Sequence, residues 1–275
     1  MNNNLIFDLG FHRGEDTSYY LYKGFQVVAI DADPKLVESG RHKFINELSE
    51  KRLVLLNRVI DAWDKRDTFF YISQNSQWSS VHKEIAERKG NPSFPVRLQA
   101  VSLPTLMKEY GVPYYCKIDI EGNDIIALRS LSGIQERPLY ISVETECIGD
   151  KTQWKDRIFD TLEELHALGY NKFKLVDQRT LTVLDFSSFY KGTGISFDPL
   201  KTNKEYAKSI LGLHGGEEML FSDVFPDSSG PFGEYLSGEW FDYYRARKLI
   251  EFHRHAQRLY SPDIWSFWCD WHATM

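Results

Sequence analysis

The sequence predicts an α/β fold, a mostly parallel sheet with helices on both faces. Three observations carry that prediction. Between residues 4 and 176, short apolar or β-branched runs alternate with longer helical patterns, the form a helix-covered parallel sheet takes in sequence. The first run, Leu5 to Leu9, passes into a glycine turn at Gly10 and Gly14 and then into a helical pattern. Carboxylates stand at the ends of four runs, Asp8, Asp31, Asp119 and Glu144, where open α/β sheets bind their ligands.

Strands are expected, in order, at Asn4 to Leu9, Gln26 to Asp31, Arg52 to Asn57, Tyr114 to Ile120, Leu139 to Glu144 and Asn171 to Val176. Helices are expected at Glu15 to Lys23, Pro34 to Glu50, Leu103 to Tyr110, Asp124 to Leu131 and Gln153 to Leu168. Pro34 and Pro104 fall at first-turn positions, and Gly24 and Gly169 fall where helices end. The insertion Asp61 to Ser102 holds two further strand-like runs, Thr68 to Ser73 and Val96 to Val101, around the polar loop Trp78-Ser79-Ser80. It is expected to form a hairpin or flap over the site. Phe173 to Asp177 and Thr180 to Phe186, joined by Gln178-Arg179, predict an antiparallel edge. Beyond Phe186 the chain turns glycine-rich and then helical from Trp240 to Tyr260, so residues 1–186 read as the main domain and 187–275 as a C-terminal extension. Trp265, Trp268 and Trp271, spaced by three, read as a helical stripe that docks the tail on the core or on a second copy of the chain.

Composition narrows the function. With 275 residues, 42% of them hydrophobic and 26% charged, the chain is neither disordered nor fibrous and can bury a core without disulfide or metal. The 33 Lys and Arg against 39 Asp and Glu give a net charge of −6, spread along the chain, which argues against a nucleic-acid partner. Cys116, Cys147 and Cys269 show neither disulfide nor zinc spacing, so a reducing, cytoplasmic location is expected. The opening Met1-Asn2-Asn3-Asn4 lacks a basic segment and no run reaches the ~18 apolar residues of a membrane helix. Neither a targeting signal nor a membrane partner is expected.

The spacing of Asp8, Gly10 and Gly14 is Asp-x-Gly-x-x-x-Gly, and the dinucleotide fingerprint would need glycine where Asp8 stands. A carboxylate there repels a pyrophosphate and suits a cation, such as the ammonium of an amino-acid moiety. Gly10 permits a tight turn and close approach of a ligand, while Gly14 lets the helix start pack near the strand. Asp31 ends the second strand, placed to accept both hydroxyls of a ribose. Its rival role is to cap the helix that begins at Pro34. Jointly these residues specify a nucleoside attached to a cation, and S-adenosylmethionine is the common cofactor of that description.

The fourth strand ends in Cys116-Lys117-Ile118-Asp119-Ile120-Glu121-Gly122-Asn123-Asp124, and alternation places Lys117, Asp119 and Glu121 on one side. Ionisable groups there are costly unless paired or used, and the competing reading is a Lys117 to Glu121 ion pair that closes the strand. His12, in the first turn, is a further candidate base. His253 and His255 lie two apart on a helix and point to different faces, so no metal is expected. Arg245, Arg247, Lys248, Arg254 and Arg258 make the tail helix locally basic, a solvated face.

Asp8-Leu9-Gly10 with Gly14 and Thr17, then Ala29-Ile30-Asp31-Ala32-Asp33-Pro34, then Val101-Ser102-Leu103-Pro104-Thr105-Leu106 leading into Lys117-Ile118-Asp119-Ile120-Glu121-Gly122, resemble the FkbM family of S-adenosylmethionine-dependent methyltransferases. The last run is the most specific part. Two departures are Asp31-Ala32 where Glu-Pro is usual and Phe11-His12-Arg13 in place of a small-residue turn. The resemblance implies a Rossmann-like class I methyltransferase fold with a seven-stranded sheet whose last strand is antiparallel. It implies transfer to a hydroxyl oxygen on a sugar or natural product, with S-adenosylhomocysteine as product. Together with the strand ends it gives a cofactor set of Asp8, Gly10, Phe11, Gly14, Thr17, Asp31, Ala32, Asn57 and Asp119. The catalytic set is Asp119, Glu121, His12 and Lys117, the acidic pair being the first choice of base. Trp78, Ser79, Ser80 and Glu144 are expected on the acceptor side, with the tail beyond Phe186 closing the pocket and offering a homodimer contact. Two other readings stay open: the same fold transferring to nitrogen or transferring an aminopropyl group, and a non-catalytic scaffold whose aromatic tail binds a partner.

Overall fold

The computed structural model describes residues 2–145, 159–187, 224–260 and 268–275, and the chain divides into two compact units, residues 1–141 and 142–275. The boundary read from composition, at residue 186, falls inside the second unit.

The first unit contains β1 (Asn2–Leu9), α1 (Glu15–Tyr22), β2 (Gln26–Asp31), α2 (Pro34–Lys43), α3 (Ile45–Ser49), β3 (Leu53–Asn57), β4 (Val59–Ile60), β5 (Asp67–Ser73), α4 (Lys83–Ala86), β6 (Ser93–Val101), α5 (Leu103–Tyr110), β7 (Pro113–Ile118) and α6 (Asp124–Arg129). Its main strands run in the order β3-β2-β1-β7, all parallel. Ile6, Phe7 and Leu9 of β1 are buried with Val27 to Ile30 of β2 and Cys116 and Ile118 of β7, as expected of strands covered on both faces. Chain order reverses between β1 and β7, which opens a crevice beyond their carboxyl ends.

Helix starts follow their caps. Asp33 caps α2, its Oδ1 accepting from Lys35 N at 2.8 Å with Pro34 in the first turn, and Ser102 caps α5 by accepting from Thr105 N at 3.3 Å. The cap of the Pro34 helix is therefore Asp33 and not Asp31. The single helix expected over Pro34 to Glu50 is broken at Phe44 (φ −108°, ψ 33°), whose buried ring meets Phe11 edge-on at 5.9 Å. Burial of that ring outweighs helix propensity.

The insertion is a small sheet of its own, in the order β4-β6-β5 with β5 and β6 antiparallel from Asp67↔Gln99 to Ser73↔Ser93. Val59, Phe70, Ile72 and Ala100 form its core together with Ala32, which anchors the flap beside the end of β2.

The second unit contains β8 (Tyr140–Glu144), at whose start the division falls, α7 (Asp160–Ala167), β9 (Lys172–Asp177), β10 (Thr182–Leu184), α8 (Tyr243–Tyr260) and β11 (Cys269–Thr274). Its strands run β8-β11-β9-β10, with β11 and β10 antiparallel to β9. The antiparallel edge after β9 is present, but the last strand of the chain enters between β8 and β9. Among the described residues the main strands number eight, where seven were expected. Residues 153–158 of the expected fifth helix, Cys147, Trp265 and the glycine-rich stretch 188–223 lie outside the described residues. The tryptophan stripe is corrected: Cys269–Thr274 is extended, all six of its residues are buried, and Trp271 packs edge-on to Phe173 at 6.3 Å. The basic look of α8 is also resolved into pairs, Arg247 with Glu163 at 2.6 Å and Arg245 with Glu239 at 2.6 Å, while Arg254 is buried.

Replacing Trp271 by Ala is expected to cost about 3–5 kcal/mol in urea unfolding, as for a fully buried large side chain. Trp268→Ala, at a side chain 46% exposed, is expected to cost far less. Equal costs would restore the helical docking stripe.

Candidate active site

Beyond the carboxyl ends of β1 and β7, Asp8 and Asp119, joined by Asp16 of α1, lie around one ammonium, that of Lys117. Asp8 is buried and lies opposite Lys117 in the β1–β7 register. Thr17 Oγ1 donates to Asp8 Oδ2 at 2.5 Å, and Asp8 Oδ1 has no hydrogen-bond partner among the described residues. Lys117 Nζ reaches Asp16 Oδ2 at 3.0 Å and Asp119 Oδ2 at 3.1 Å. Burial alone would lower the Lys117 pKa, but Asp119, Asp16 and Asp8 together raise it well above its usual value, favouring the charged ammonium. Burial pushes Asp8 up to about 7, against the pull of Lys117 and with the push of Asp16. The Lys117 to Glu121 pair is absent. Glu121 binds Arg88 instead, at 3.2 Å, because the chain leaves the strand at Ile118 and Glu121 sits in a left-handed turn (φ 52°).

Asp31, at the end of β2, accepts from two backbone groups: His12 N on Oδ2 and Asp33 N on Oδ1, each at 2.7 Å. Each oxygen keeps one further acceptor position. Burial raises Asp31 to about 6 against those hydrogen bonds. Asn57, opposite Asp31 on β3, donates through Nδ2 to the Asp31 carbonyl at 3.0 Å. Asp31 thus also holds the backbone of both turns, after β1 and after β2, in place.

Three other expected site residues serve the turns. A Cβ on Gly10 (φ 97°) would collide with the Asp119 carbonyl, so glycine there lets the β1 and β7 turns touch. Gly14 (φ 75°) lies under the rings of Phe11 and Phe44. The Phe11 side chain points into that packing and is buried. Ala32 belongs to the flap's core.

The flap is fastened to both turns. His12 Nε2 meets Ser76 Oγ at 2.9 Å, Ser80 Oγ donates to the Glu121 carbonyl at 2.6 Å, and Asn123 Nδ2 donates to the Ile60 carbonyl at 2.6 Å. Asp124 accepts from Ile120 N at 3.1 Å and Gly122 N at 3.0 Å, which fixes the β7 turn. Ser79 and Ser80 are buried and their hydroxyls hold the flap's own backbone, Ser79 by accepting from Ser73 N at 3.1 Å and Ser80 by accepting from His82 N at 3.0 Å. Trp78 is half-buried beneath the Arg88 guanidinium, 4.6 Å from its ring centroid. Glu144 ends β8 in the second unit. Sequence reasoning missed Asp16, Glu15, Ser76 and Arg88. The first two were visible as acids in a helix's first turn, whereas Ser76 and Arg88 carry no local signal.

Three carboxylates around one lysine leave an excess of negative charge, and with the unpartnered Asp8 oxygen this suits a cationic ligand. The open acceptor positions of Asp31 suit vicinal hydroxyls. The residues present therefore fit a cationic nucleoside cofactor. Among the described residues no group of three or more His, Cys, Asp or Glu is placed to hold a metal ion, and no helix is long and apolar enough to cross a membrane.

Folded Asp8 keeps its proton to about pH 7, whereas the unfolded chain releases it near 3.8. Between those values the unfolded state ionises alone, so stability falls as pH rises, and Asp31 and Glu121, raised to about 6 and about 8, act in the same sense. Asp8→Asn keeps an acceptor for Thr17 and is expected to flatten the decline by up to about 1.4 kcal/mol per pH unit between pH 5 and 6.5. Urea midpoints across that range measure it, and an unchanged slope would remove Asp8 from the titrating set.

Comparison with known proteins adds a family. None of the curated proteins matches the chain. Solved structures similar to it include the precorrin-6y C5,15-methyltransferase of Geobacter metallireducens GS-15, at 9% identity and TM-score 0.34, covering 67% of this chain and 75% of that one. The methyltransferase domain of bacterial CtHen1 is similar at 14% identity and TM-score 0.35, covering 67% and 83%. The family model described as the methyltransferase FkbM domain matches residues 8–172, which is 165 of the 275. That span starts at Asp8 and takes in both turns, Asp31 and the whole flap. The chain belongs to the FkbM methyltransferase family.

Proposed function

We propose that the chain transfers the methyl group of S-adenosylmethionine to a hydroxyl oxygen of a sugar, glycan or natural product. The observation that carries this reading is the pairing of a buried acid cluster around Lys117 with Asp31 at the neighbouring strand end. The cluster takes the cationic amino-acid side of the cofactor, and Asp31 takes the ribose hydroxyls by charge-assisted hydrogen bonds. When bound, the cofactor supplies a methyl group on a sulfonium. The chain's task is to line up the acceptor oxygen, exclude water and remove a proton.

The flap supports an acceptor on its side of the crevice. Trp78 offers a ring for stacking, and its guanidinium neighbour Arg88 is bound to Glu121 in the β7 turn. Asp119, with a side chain 39% exposed, is the acid of the cluster that faces outward.

Calorimetric titration with S-adenosylmethionine and S-adenosylhomocysteine tests the reading, and binding of neither would favour a scaffold. Asp31→Ala removes both hydroxyl contacts and is expected to weaken cofactor binding by about 2–4 kcal/mol, roughly 30- to 1000-fold. It also orphans the His12 and Asp33 amides, so the melting temperature is expected to fall as well. Asp33→Ala removes the α2 cap and is expected to cost about 1 kcal/mol of stability with little change in affinity. If Asp31→Ala lowers stability without weakening binding, the ribose assignment fails.

A further inference from the structure

Of the groups in the two turns able to take a proton from a hydroxyl acceptor, two are held by cations. Asp119 is bound to Lys117 and Glu121 to Arg88. The His12 imidazole is arranged differently. Its Nδ1 lies 3.2 Å from Glu15 Oε1 and its Nε2 lies 2.9 Å from Ser76 Oγ. Glu15 Oε2 accepts from Arg13 N at 3.0 Å, which fixes the carboxylate's orientation. Burial works to raise Glu15, but the hydrogen bonds from His12 and the backbone prevail and hold it below the usual carboxylate range. An ionised carboxylate at Nδ1 selects the Nδ1–H tautomer and turns the Nε2 lone pair toward the Ser76 hydroxyl.

This is the in-line order of carboxylate, imidazole and hydroxyl by which a weakly acidic hydroxyl is activated. Its placement is fixed from both ends. The His12 amide donates to Asp31 Oδ2 at 2.7 Å, tying the imidazole to the carboxylate assigned to the ribose. His12 also adopts a left-handed backbone (φ 49°), a region sparsely populated outside glycine and persistent where surrounding contacts enforce it. Ser76 comes from the flap, on the turn Ser76–Trp78 that also carries the proposed acceptor platform. The charged groups around the imidazole are Glu15 on α1, Asp31 at the end of β2, Arg13 in the turn, and Lys43 of α2, whose Nζ donates to the Arg13 carbonyl at 2.9 Å.

We propose that Glu15, His12 and Ser76 form a proton relay, in which Ser76 takes the proton of the acceptor hydroxyl while passing its own to His12 Nε2, with Glu15 as the positioning residue that steadies the imidazolium. The relay rests on the methyltransferase reading for its acceptor. As the acceptor oxygen bonds to the methyl carbon, its O–H bond breaks, the electron pair of the methyl–sulfur bond stays on sulfur, and the proton leaves through the imidazolium to solvent.

The test places a titratable probe at the hydroxyl. In Ser76→Cys, the rate of alkylation by iodoacetamide is followed against pH, and mass spectrometry of the peptide separates the introduced thiol from Cys116, Cys147 and Cys269. The relay requires a thiol that titrates at least about one pH unit below the ordinary value of about 8.5. Adding Glu15→Gln or His12→Gln is expected to return it to the ordinary range, with about a tenfold or greater loss of rate at pH 6.5. A thiol that titrates normally, or that ignores both second substitutions, overturns the relay. Nitrogen-15 NMR of the unmodified chain gives an independent reading if the variant does not fold: His12 as the Nδ1–H tautomer supports the relay, and the Nε2–H tautomer overturns it. Calorimetry with S-adenosylhomocysteine on the same samples keeps the two readings apart. Loss of binding in every sample defeats the cofactor assignment, while the thiol titration judges the relay on its own.

Discussion

The candidate site depends on a single buried cation. Lys117 enters the crevice at the end of a fully buried strand, and its ammonium is surrounded by Asp16 from α1, Asp119 from the β7 turn and Asp8 from β1. An isolated ammonium or carboxylate at this depth would be driven to neutrality. Together they fix the separation of β1, α1 and β7 at the point where chain order reverses. Breaking such a pair from one side leaves a buried charge uncompensated, which is worth about 3–5 kcal/mol. The cluster is nevertheless unbalanced, with three carboxylates to one lysine, and Asp8 relieves part of that by holding its proton to about pH 7. The third acid exceeds what charge pairing with Lys117 requires, and the proposed cation site rests on that excess.

The second constraint is the flap. An insertion of this length would ordinarily move independently of the sheet that carries it, and here three hydrogen bonds and one ion pair join it to the strand-end turns. The hydroxyls of Ser79 and Ser80 are committed to backbone groups. Ser80 bridges the Glu121 carbonyl and the His82 amide, and Ser79 receives the Ser73 amide. Within the Trp78-Ser79-Ser80 loop the two serines are therefore structural, while the Trp78 ring lies beneath the Arg88 guanidinium.

What was legible in the sequence is what local chemistry controls. Strand runs, glycine turns, proline first turns and strand-end acids each leave a pattern within a few residues, and β1, α1, β2, β7 and the acids at their ends appear where those patterns place them. Partner choice was not legible. Lys117 bonds to Asp16, 101 positions before it (117 − 16), and Glu121 to Arg88, 33 positions away. Register also hid β11: a Trp every third residue has helical spacing, yet Cys269–Thr274 satisfies its backbone by lying between two strands. Phe11 was assigned by position to the cofactor turn, but Gly14 and Gly40 leave room beneath it and the ring fills that space. A glycine in sequence marks close approach without saying what approaches.

Both strand-end turns carry a non-glycine residue in the left-handed region, His12 at φ 49° and Glu121 at φ 52°. Either conformation is costly for an ordinary side chain, and such costs persist where neighbouring contacts over-determine them. The same two residues are gripped by the flap, His12 through Ser76 and Glu121 through Arg88 and Ser80. One turn is tied in addition to Asp31 through the His12 amide, and the other to β1 through the Asp119 amide on the Leu9 carbonyl at 3.0 Å. The strain and the grip therefore coincide, and each loop is held between a carboxylate-bearing strand end below and the flap above. A ligand entering between them meets side chains whose directions are already set, so little ordering entropy remains to oppose its binding.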